Sequence, residues 1–321
     1  MIITATCPLR ISLVGGSTDH PDFLKKYGSG MVISFPCDLK TYITIHKDVF
    51  GINSIGKRYI LNYSKREEVD SISDIKNELI KNCFDRLDVS QINLFLTSDV
   101  YSNGSGLASS SAYLMSLIKA IYTLRDEKIT ESEMCKLAME IEKTFNPLVG
   151  QQDFYGSLGG LKRIKFYDND NPDIKYLDTK IFNQMDMYLI YTGITRSSTN
   201  ILQTINIDKS VPLLEDVVNL EKAINELDIN LFNKTIRNTW INKKNTSPLI
   251  CSNEDLMKLD GSITNDKSVL SHKLLGAGNG GFIMFFAPPE THLKICSALS
   301  DLENIKFRFE SGGSQIVFYQ P

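Results

Sequence analysis

The chain reads Asn103-Gly104-Ser105-Gly106-Leu107-Ala108-Ser109-Ser110-Ser111-Ala112 between a strand predicted over 92–97 and a helix predicted over 109–124. Glycines let the backbone turn so that successive N–H groups point inward, and a helix start adds unpartnered donors and a positive dipole end. This pattern predicts an anion site, most naturally for phosphates, where a serine hydroxyl can ligate Mg²⁺ carried by a nucleotide. An ordinary helix with a serine N-cap is the alternative, and this stretch alone favours neither. It is not a Walker A loop, because no Lys-Ser or Lys-Thr pair follows.

The placement of glycine elsewhere extends this pattern. Twelve of the 20 glycines fall in four short stretches, 15–16, 104–106, 150–160 and 276–281. Such concentration indicates tight loops or backbone brought close to a ligand. The last stretch contains G-x-G-x-x-G, but a predicted strand follows it where a dinucleotide-binding fingerprint needs a helix. An oxidoreductase is therefore the least favoured function, and this stretch is either a ligand-approaching loop or a structural turn.

Charged side chains accompany the other glycine stretches. Asp153 lies in the third stretch, where it can accept a substrate proton, hold a metal or cap its own backbone. Glu142 lies eleven residues earlier, near the end of a predicted helix, and taken alone it fits a solvated helix face. Arg10 stands in an otherwise apolar strand, and a buried charge needs a partner. Asp19, just beyond Gly15-Gly16, is placed to hydrogen-bond a polar ligand.

Composition and charge exclude several classes of protein. The 321 residues carry 35 basic and 38 acidic side chains, and a net charge of −3 argues against nucleic acid as the main partner. No signal peptide and no apolar run of bilayer length is visible, so no membrane partner is expected. Six scattered cysteines and four scattered histidines predict free thiols, a cytoplasmic location and no protein-built zinc site.

Apolar spacing predicts an α+β chain of two domains, 1–172 and 173–321, divided at the turn cluster 168–172. Further strands are predicted over 2–14, 31–47, 161–167, 187–192, 281–286, 305–310 and 315–319. Further helices are predicted over 73–88, 131–144, 213–228, 231–244, 254–260 and 290–300. The regular βαβ repetition of a doubly wound sheet is missing from this order.

Taken in chain order, these segments resemble the GHMP kinases, named for galactokinase, homoserine kinase, mevalonate kinase and phosphomevalonate kinase. Cys7 to His20 is similar to the first family motif, Ser102 to Ala112 to the phosphate-binding second, and Leu275 to Gly281 to the glycine-rich third. The second motif usually reads Gly-Leu-Gly-Ser-Ser-Ala, and here Ala108 replaces its middle glycine. The resemblance implies the two-domain GHMP kinase fold, with an N-terminal ribosomal protein S5 domain 2-like half and a ferredoxin-like C-terminal half.

The resemblance also implies roles for individual residues. The loop 103–111 would bind the phosphates of ATP, Ser110 would ligate Mg²⁺, and Glu142 would help to hold Mg²⁺–ATP. Asp153 would be the base that faces the substrate hydroxyl. Arg10, where several members carry a lysine, would stabilise the ionised base and the phosphoryl group in transit. The residues expected at the substrate are Gly15, Gly16, Thr18, Asp19, Gly278, Gly280 and, for a substrate phosphate, Arg196.

Within the family, Pro8-Leu9-Arg10-Ile11-Ser12, Gly150-Gln151-Gln152-Asp153 and Tyr191–Ser198 most resemble the D-glycero-D-manno-heptose 7-phosphate kinases. That resemblance implies phosphorylation of the anomeric hydroxyl to the 1,7-bisphosphate, on the route to GDP-heptose for surface polysaccharides, by a monomer or homodimer. The alternatives are a fucose-, galactose- or mevalonate-type kinase, and a kinase-like sugar sensor without catalysis. The four candidate catalytic and metal-binding side chains occurring together argue against the sensor.

Overall fold

A computed structural model describes residues 1–47, 58–101, 104–168, 171–195, 198–289, 291 and 304–321. Its strands are β1 (Ile2–Val14), β2 (Ser29–His46), β3 (Tyr59–Asn62), β4 (Arg66–Val69), β5 (Ile92–Ser98), β6 (Lys162–Tyr167), β7 (Asp173–Tyr176), β8 (Asp186–Tyr191), β9 (Ser271–Leu274), β10 (Phe282–Ala287), β11 (Asn304–Phe307) and β12 (Gln315–Gln320). Its helices are α1 (Pro21–Tyr27), α2 (Glu78–Leu87), α3 (Ser109–Leu124), α4 (Glu131–Lys143), α5 (Gln152–Tyr155), α6 (Ser198–Leu202), α7 (Pro212–Glu226), α8 (Ile229–Thr246) and α9 (Glu254–Asn265).

The larger sheet is built around the long strands β1 and β2, which pair antiparallel. Its order is β12-β1-β2-β5-β3-β4, and β2 also pairs with β6, which pairs with β7. One end of β2 pairs with β6 and the other with β5, so this single strand joins two parts of the sheet. The strand predicted over 31–47 is therefore longer at its beginning, since it starts at Ser29, and it ends at His46.

The smaller sheet is antiparallel and has the order β11-β8-β10-β9. Every residue of β10 is buried, which explains its uninterrupted apolar sequence Phe282 to Ala287. Apolar side chains of this sheet contribute to the main core and also to a second cluster around Tyr188, Trp240 and Phe285. Together with the helices, the two sheets confirm the predicted α+β class.

Helix α3 lies against the middle of the larger sheet and carries the phosphate-binding segment at its first turn. It begins at Ser109 and ends at Leu124, as predicted, and packs on β1 and β2. Leu114, Leu117 and Ile121 are fully buried. Because this apolar face is packed against the sheet, the first turn of α3 is fixed relative to β1 and β2.

Several predicted elements differ from the structure. The helix predicted over 73–88 is a 3₁₀ turn (Ile72–Asp74) followed by α2, because the Asn77 side chain caps the new helix by accepting from Ile80 N at 3.1 Å. The elements not predicted are β3, β4, β7, β9, α1, α5 and α6. Most of these are four or five residues long, too short to show a period. The helix predicted over 290–300 lies outside the described residues, apart from Thr291.

The division of the chain at residue 172 stays a prediction. Strand β7, just after that point, pairs with β6, and β12 at the C-terminus pairs with β1, so the larger sheet draws on both halves of the sequence. Within the described ranges, no helix is both long and apolar enough to cross a membrane.

Candidate active site

The segment that links β5 to α3 has the backbone of an anion site. Gly104 (φ 67°), Gly106 (φ 79°) and Ala108 (φ 59°) are all left-handed. Ala108 is the N-cap of α3 and its side chain makes no capping hydrogen bond, so the alternative of a serine N-cap is wrong. The first N–H groups of α3 therefore lack both an intrahelical and a capping partner, and they lie beside a cavity. Asn103 lies outside the described residues.

The serines at the start of α3 have three different environments. Ser109 is buried, and its hydroxyl is 2.8 Å from that of Ser105. Ser111 is also buried and donates to Glu142 Oε2 at 2.7 Å. Ser110 is exposed, lines the cavity and has its hydroxyl within hydrogen-bonding reach of Glu142. Its position is the one that suits a ligand to a metal held in the cavity.

Glu142 lies in the last turn of α4 and is only 3% exposed, so it is not the solvated residue that its sequence context suggests. Burial raises the pKa of this carboxyl to about 7, although hydrogen bonds from Ser111, Asn146 and Ser110 lower it. A carboxylate and a hydroxyl are the kinds of ligand that Mg²⁺ prefers, and Mg²⁺ commonly takes its remaining ligands from phosphates and water. The pair of Ser110 and Glu142 therefore fits Mg²⁺ bound together with a nucleotide.

Asp153 and Arg10 contact each other beside the phosphate loop. Asp153 lies in the short helix α5, and its Oδ1 contacts the guanidinium Nη2 of Arg10. Arg10 is buried in β1, its backbone N donates to Leu107 O at 3.0 Å, and its Nη1 donates to Gly106 O at 3.5 Å. The Asp153 side chain remains 26% exposed. A fixed cation thus lies between an accessible carboxylate and the anion site.

The Asp19 carboxylate hydrogen-bonds to the first residue of α5. Its two oxygens accept from Gln152 N at 3.0 Å and from Gln152 Nε2 at 2.9 Å. A side chain at Gly150 would collide with this carboxylate, since a Cβ there would lie 2.2 Å from Oδ2. Burial, and then the charge of Asp153, raise the pKa of Asp19 to about 6. Asp19 lines the cavity, and both of its carboxylate oxygens accept hydrogen bonds from the segment that carries Asp153.

Several buried polar side-chain atoms beside the cavity have no hydrogen-bond partner among the described residues. Ser12 Oγ, His20 Nε2 and Gln152 Oε1 have no hydrogen-bond partner among the described residues, and all three residues line the cavity. His20 Nδ1 accepts from Asp22 N at 3.2 Å, and burial lowers the pKa of the ring, which leaves Nε2 as an N–H donor. Buried polar groups are normally hydrogen-bonded, so a polar ligand is expected here.

The third glycine-rich segment packs directly on the phosphate loop. Phe282 N donates to Ser105 O at 3.0 Å, and a Cβ at Gly106 would lie 2.5 Å from Leu275 O. Gly276 and Ala277 line the cavity. Gly278 and Gly280, expected at the substrate, instead pack against Ile250 and Ile194, respectively.

The first motif also divides between ligand-facing and structural positions. Gly16 lines the cavity, but Gly15 packs against Met31 O, where a Cβ would lie 2.0 Å away. Thr18 is fully buried and donates to Gly15 O at 2.8 Å, so it closes the turn rather than facing a ligand. Arg196 lies outside the described residues.

One cavity of about 1400 Å³ is lined by the phosphate loop and by Arg10, Asp19, Ser110, Glu142 and Asp153. Small-molecule sites usually occupy roughly 300–1,000 Å³, so this volume suits two ligands side by side. Beyond the phosphate loop it is lined by residues that the sequence analysis did not select, namely Tyr63, Asn77, Leu79, Leu96, Val100 and Tyr101. They lie in or next to β3, α2 and β5, and no local pattern indicates that these elements share a wall.

The chain is similar to known proteins in sequence and in fold. Residues 75–160 match the family model described as GHMP kinases N terminal domain. The chain is 28% identical over 320 residues to D-glycero-alpha-D-manno-heptose 7-phosphate kinase of Campylobacter jejuni, covering 92% of this chain and 93% of that one.

Two solved structures show the same fold. The D-glycero-D-manno-heptose 1-phosphate kinase of Bacteroides thetaiotaomicron matches with a TM-score of 0.79 and 21% identity, with 100% of both chains covered. Galactokinase of Lactococcus lactis, solved with galactose, matches with a TM-score of 0.75 and 14% identity, covering 98% of this chain and 95% of that one.

Proposed function

We propose that this chain, which belongs to the GHMP kinase superfamily, is an ATP-dependent kinase acting on D-glycero-D-manno-heptose 7-phosphate at its anomeric hydroxyl. The observation that carries the proposal is the contact of Asp153 with Arg10 beside the phosphate loop, within one cavity. The similarity to the Campylobacter jejuni enzyme supports the choice of sugar. The 1,7-bisphosphate would then serve GDP-heptose and surface polysaccharide synthesis in the cytoplasm.

The phosphates of ATP would bind at the start of α3, where the unpartnered N–H groups and the helix dipole favour negative charge. The base and ribose would extend along the wall formed by Tyr63, Leu96 and Tyr101. Ser110 and Glu142 would hold Mg²⁺, which when bound neutralises charge on the phosphates. Burial disfavours the charged form of a carboxyl group. Mg²⁺ next to Glu142 would offset the desolvation that raises the pKa of this residue.

Asp153 would accept the proton of the anomeric hydroxyl as the sugar oxygen bonds to the γ-phosphorus and the bond from that phosphorus to ADP breaks. Arg10 would stabilise the negative charge that develops between Asp153 and the phosphate loop. Its permanent charge and buried, strand-anchored position mean that little reorganisation is needed during the reaction. These roles follow the geometry of the two side chains in the cavity.

The polar atoms of Ser12, His20 and Gln152 would hydrogen-bond the hydroxyl groups of the sugar. They include an N–H donor, a carbonyl acceptor and a hydroxyl, and a polyol can satisfy each of them. A site that hydrogen-bonds a substrate hydroxyl discriminates strongly against analogues that lack it. This set favours a polyhydroxylated substrate over an apolar one.

The base is tested by Asp153→Asn. We expect kcat with heptose 7-phosphate to fall roughly 10²–10⁴-fold, because an amide cannot accept the proton. ATP affinity, measured by calorimetry, should change less than about threefold, because Asp153 lies across Arg10 from the phosphate loop. Asp85→Asn, an exposed carboxylate on α2, is the matched control. Near-normal kcat in Asp153→Asn would exclude this residue as the base.

The substrate is tested by following ADP release from the purified protein with Mg²⁺–ATP. The panel contains heptose 7-phosphates, sedoheptulose 7-phosphate, free fucose, free galactose and mevalonate. We expect kcat/KM to be highest for D-glycero-D-manno-heptose 7-phosphate. Preference for a free sugar or for mevalonate would replace the proposed substrate, and sugar binding without ADP release would indicate a sensor.

A further inference from the structure

A buried lysine lines the cavity beside the third glycine-rich segment. Lys243 lies near the end of α8, is 6% exposed, and its Nζ donates to the carbonyl of Gly276. The same part of the wall contains Ala277, together with Thr195 from the loop after β8. The hydrogen bond to Gly276 fixes the ammonium group beside the third glycine-rich segment.

Lys243 and Arg10 both line the cavity. Lys273 of β9 is fully buried and donates to Ser12 O at 2.9 Å and to Leu13 O at 2.8 Å, which are carbonyls of the strand that carries Arg10. Burial lowers the pKa of Lys273 well below its ordinary value, and the nearby charges of Lys243 and Arg10 lower it further. Both cavity-lining cations are thus within electrostatic reach of one buried side chain.

The phosphates of the nucleotide and the phosphate of the sugar substrate would need different groups of the protein to bind them. The start of α3, Arg10, and the pair of Ser110 and Glu142 already surround the region where the nucleotide phosphates would bind. A heptose 7-phosphate brings a second phosphate, located at the far end of the sugar from its anomeric carbon. Lys243 supplies a further positive charge at the cavity wall, beside the third glycine-rich segment, and a phosphate dianion favours a desolvated ammonium group of this kind.

Resting on the proposed sugar phosphate kinase function, we propose that Lys243 binds the phosphate group that the sugar substrate already carries. By this contact the enzyme selects phosphorylated sugars over free sugars. The reactive hydroxyl lies at Asp153 and the substrate phosphate at Lys243, so the two ends of the substrate are fixed at separate points. Fixing both ends orients the anomeric oxygen toward the phosphate loop.

The test compares kcat/KM for heptose 7-phosphate with kcat/KM for the unphosphorylated heptose in the wild type and in Lys243→Met. We expect KM for the sugar phosphate to rise about 10- to 100-fold in the variant, because a charge-assisted hydrogen bond is lost. The KM for ATP and kcat/KM for the free heptose should change less than about threefold. Lys243→Arg should keep part of the preference, because it retains the charge. Lys234→Met, which removes an exposed lysine of the same helix, should behave as wild type.

Binding is measured separately, by calorimetric titration of inorganic phosphate and of heptose 7-phosphate without ATP. Weaker binding of both by Lys243→Met supports the proposal even if that variant has lost turnover through misplacement of its neighbours. An unchanged preference for the phosphorylated sugar, or an increase confined to the KM for ATP, overturns it. A wild-type protein that releases no ADP with any sugar phosphate refutes the proposed function instead.

Discussion

At the scale of single residues, Ala108 shows how a local departure from a family pattern fits the backbone. It occupies the position of the middle glycine in the second GHMP motif, and it is left-handed, with φ 59° and ψ 38°. Residues with a Cβ avoid this region, which costs an L-residue roughly 1–2 kcal/mol. The geometry therefore gives a physical reason for the usual glycine at this position.

We predict that Ala108→Gly increases the free energy of unfolding by about 1 kcal/mol, because the relief of strain exceeds the added freedom of the unfolded chain. Urea denaturation followed by circular dichroism measures this change. Turnover should stay within about twofold of wild type, since the backbone direction of the N–H groups is kept.

Ala120→Gly, at a buried right-handed position of α3, is the control and should lower stability by about 1 kcal/mol or more. A loss of stability in Ala108→Gly as large as in the control would contradict the assignment of strain to Ala108.

At the scale of elements, the short helix α5 is stabilised by side chains from outside the helix. It has four residues, far fewer than an isolated helix needs. Asp19 binds its start, and Lys162 binds the segment after it by donating to four backbone carbonyls, those of Gly156, Leu158, Gly159 and Gly160. Since Asp153 lies within α5, these two buried charges position the proposed base.

The carboxyl group of Asp19 makes the stability of this unit depend on pH. Its pKa is about 6 in the folded chain against an ordinary value of 3.8, so the folded chain binds the proton more tightly than the unfolded chain. The resulting stability is fully present below pH 3.8 and is lost as pH rises through about 6. We predict that, from pH 4 to pH 7, wild type loses about 1–3 kcal/mol relative to Asp19→Asn.

Urea midpoints measured at half-unit pH intervals check this difference. Asp85→Asn removes an exposed carboxylate on α2 and should follow the wild-type profile. Parallel profiles for wild type and Asp19→Asn would show that Asp19 titrates normally in the folded protein.

At the scale of the whole molecule, the cavity lies where segments distant in sequence meet. Lys273 of the smaller sheet donates to carbonyls of β1 in the larger sheet, and the third glycine-rich segment lies on the phosphate loop. A nucleotide bound in this cavity therefore contacts segments that only the folded chain brings together. Binding to the folded state alone stabilises a protein by mass action.

We predict that saturating ATP with Mg²⁺ raises the Tm of the wild type, corresponding to about 2.7 kcal/mol at 100 times Kd. In Glu142→Gln, addition of Mg²⁺ to ATP should give little further increase in Tm, because the amide is a poor ligand for this ion. Thermal scanning at pH 8, where Glu142 with its pKa of about 7 is ionised, measures both effects.

Glu140→Gln, on the exposed face of the same helix, is the matched control and should keep the full response to Mg²⁺. An equal response in Glu142→Gln would remove Glu142 from the metal site.

Much of this protein was predictable from its sequence wherever the signal is local. The bounds of β1 and α3 follow from apolar spacing, and those of α4 are one residue shorter than predicted. Residue type and spacing single out the glycine-rich stretches with Arg10, Glu142 and Asp153, whereas the family resemblance supplies the motif order and the choice of Ser110. Local interactions determine such features, because neighbouring residues specify turns, helix starts and periodic faces.

The tertiary structure alone decided which of these residues share one cavity and in what direction they face. In the folded chain the Ser110 hydroxyl reaches Glu142. Gly278 and Gly280 pack against Ile250 and Ile194. Tyr63 and Tyr101 line the same cavity as the phosphate loop. Lys243, which the sequence analysis passed over, lies beside Gly276. These facts depend on contacts between residues far apart in the chain, and the spacing within one segment carries no information about the segment that packs against it.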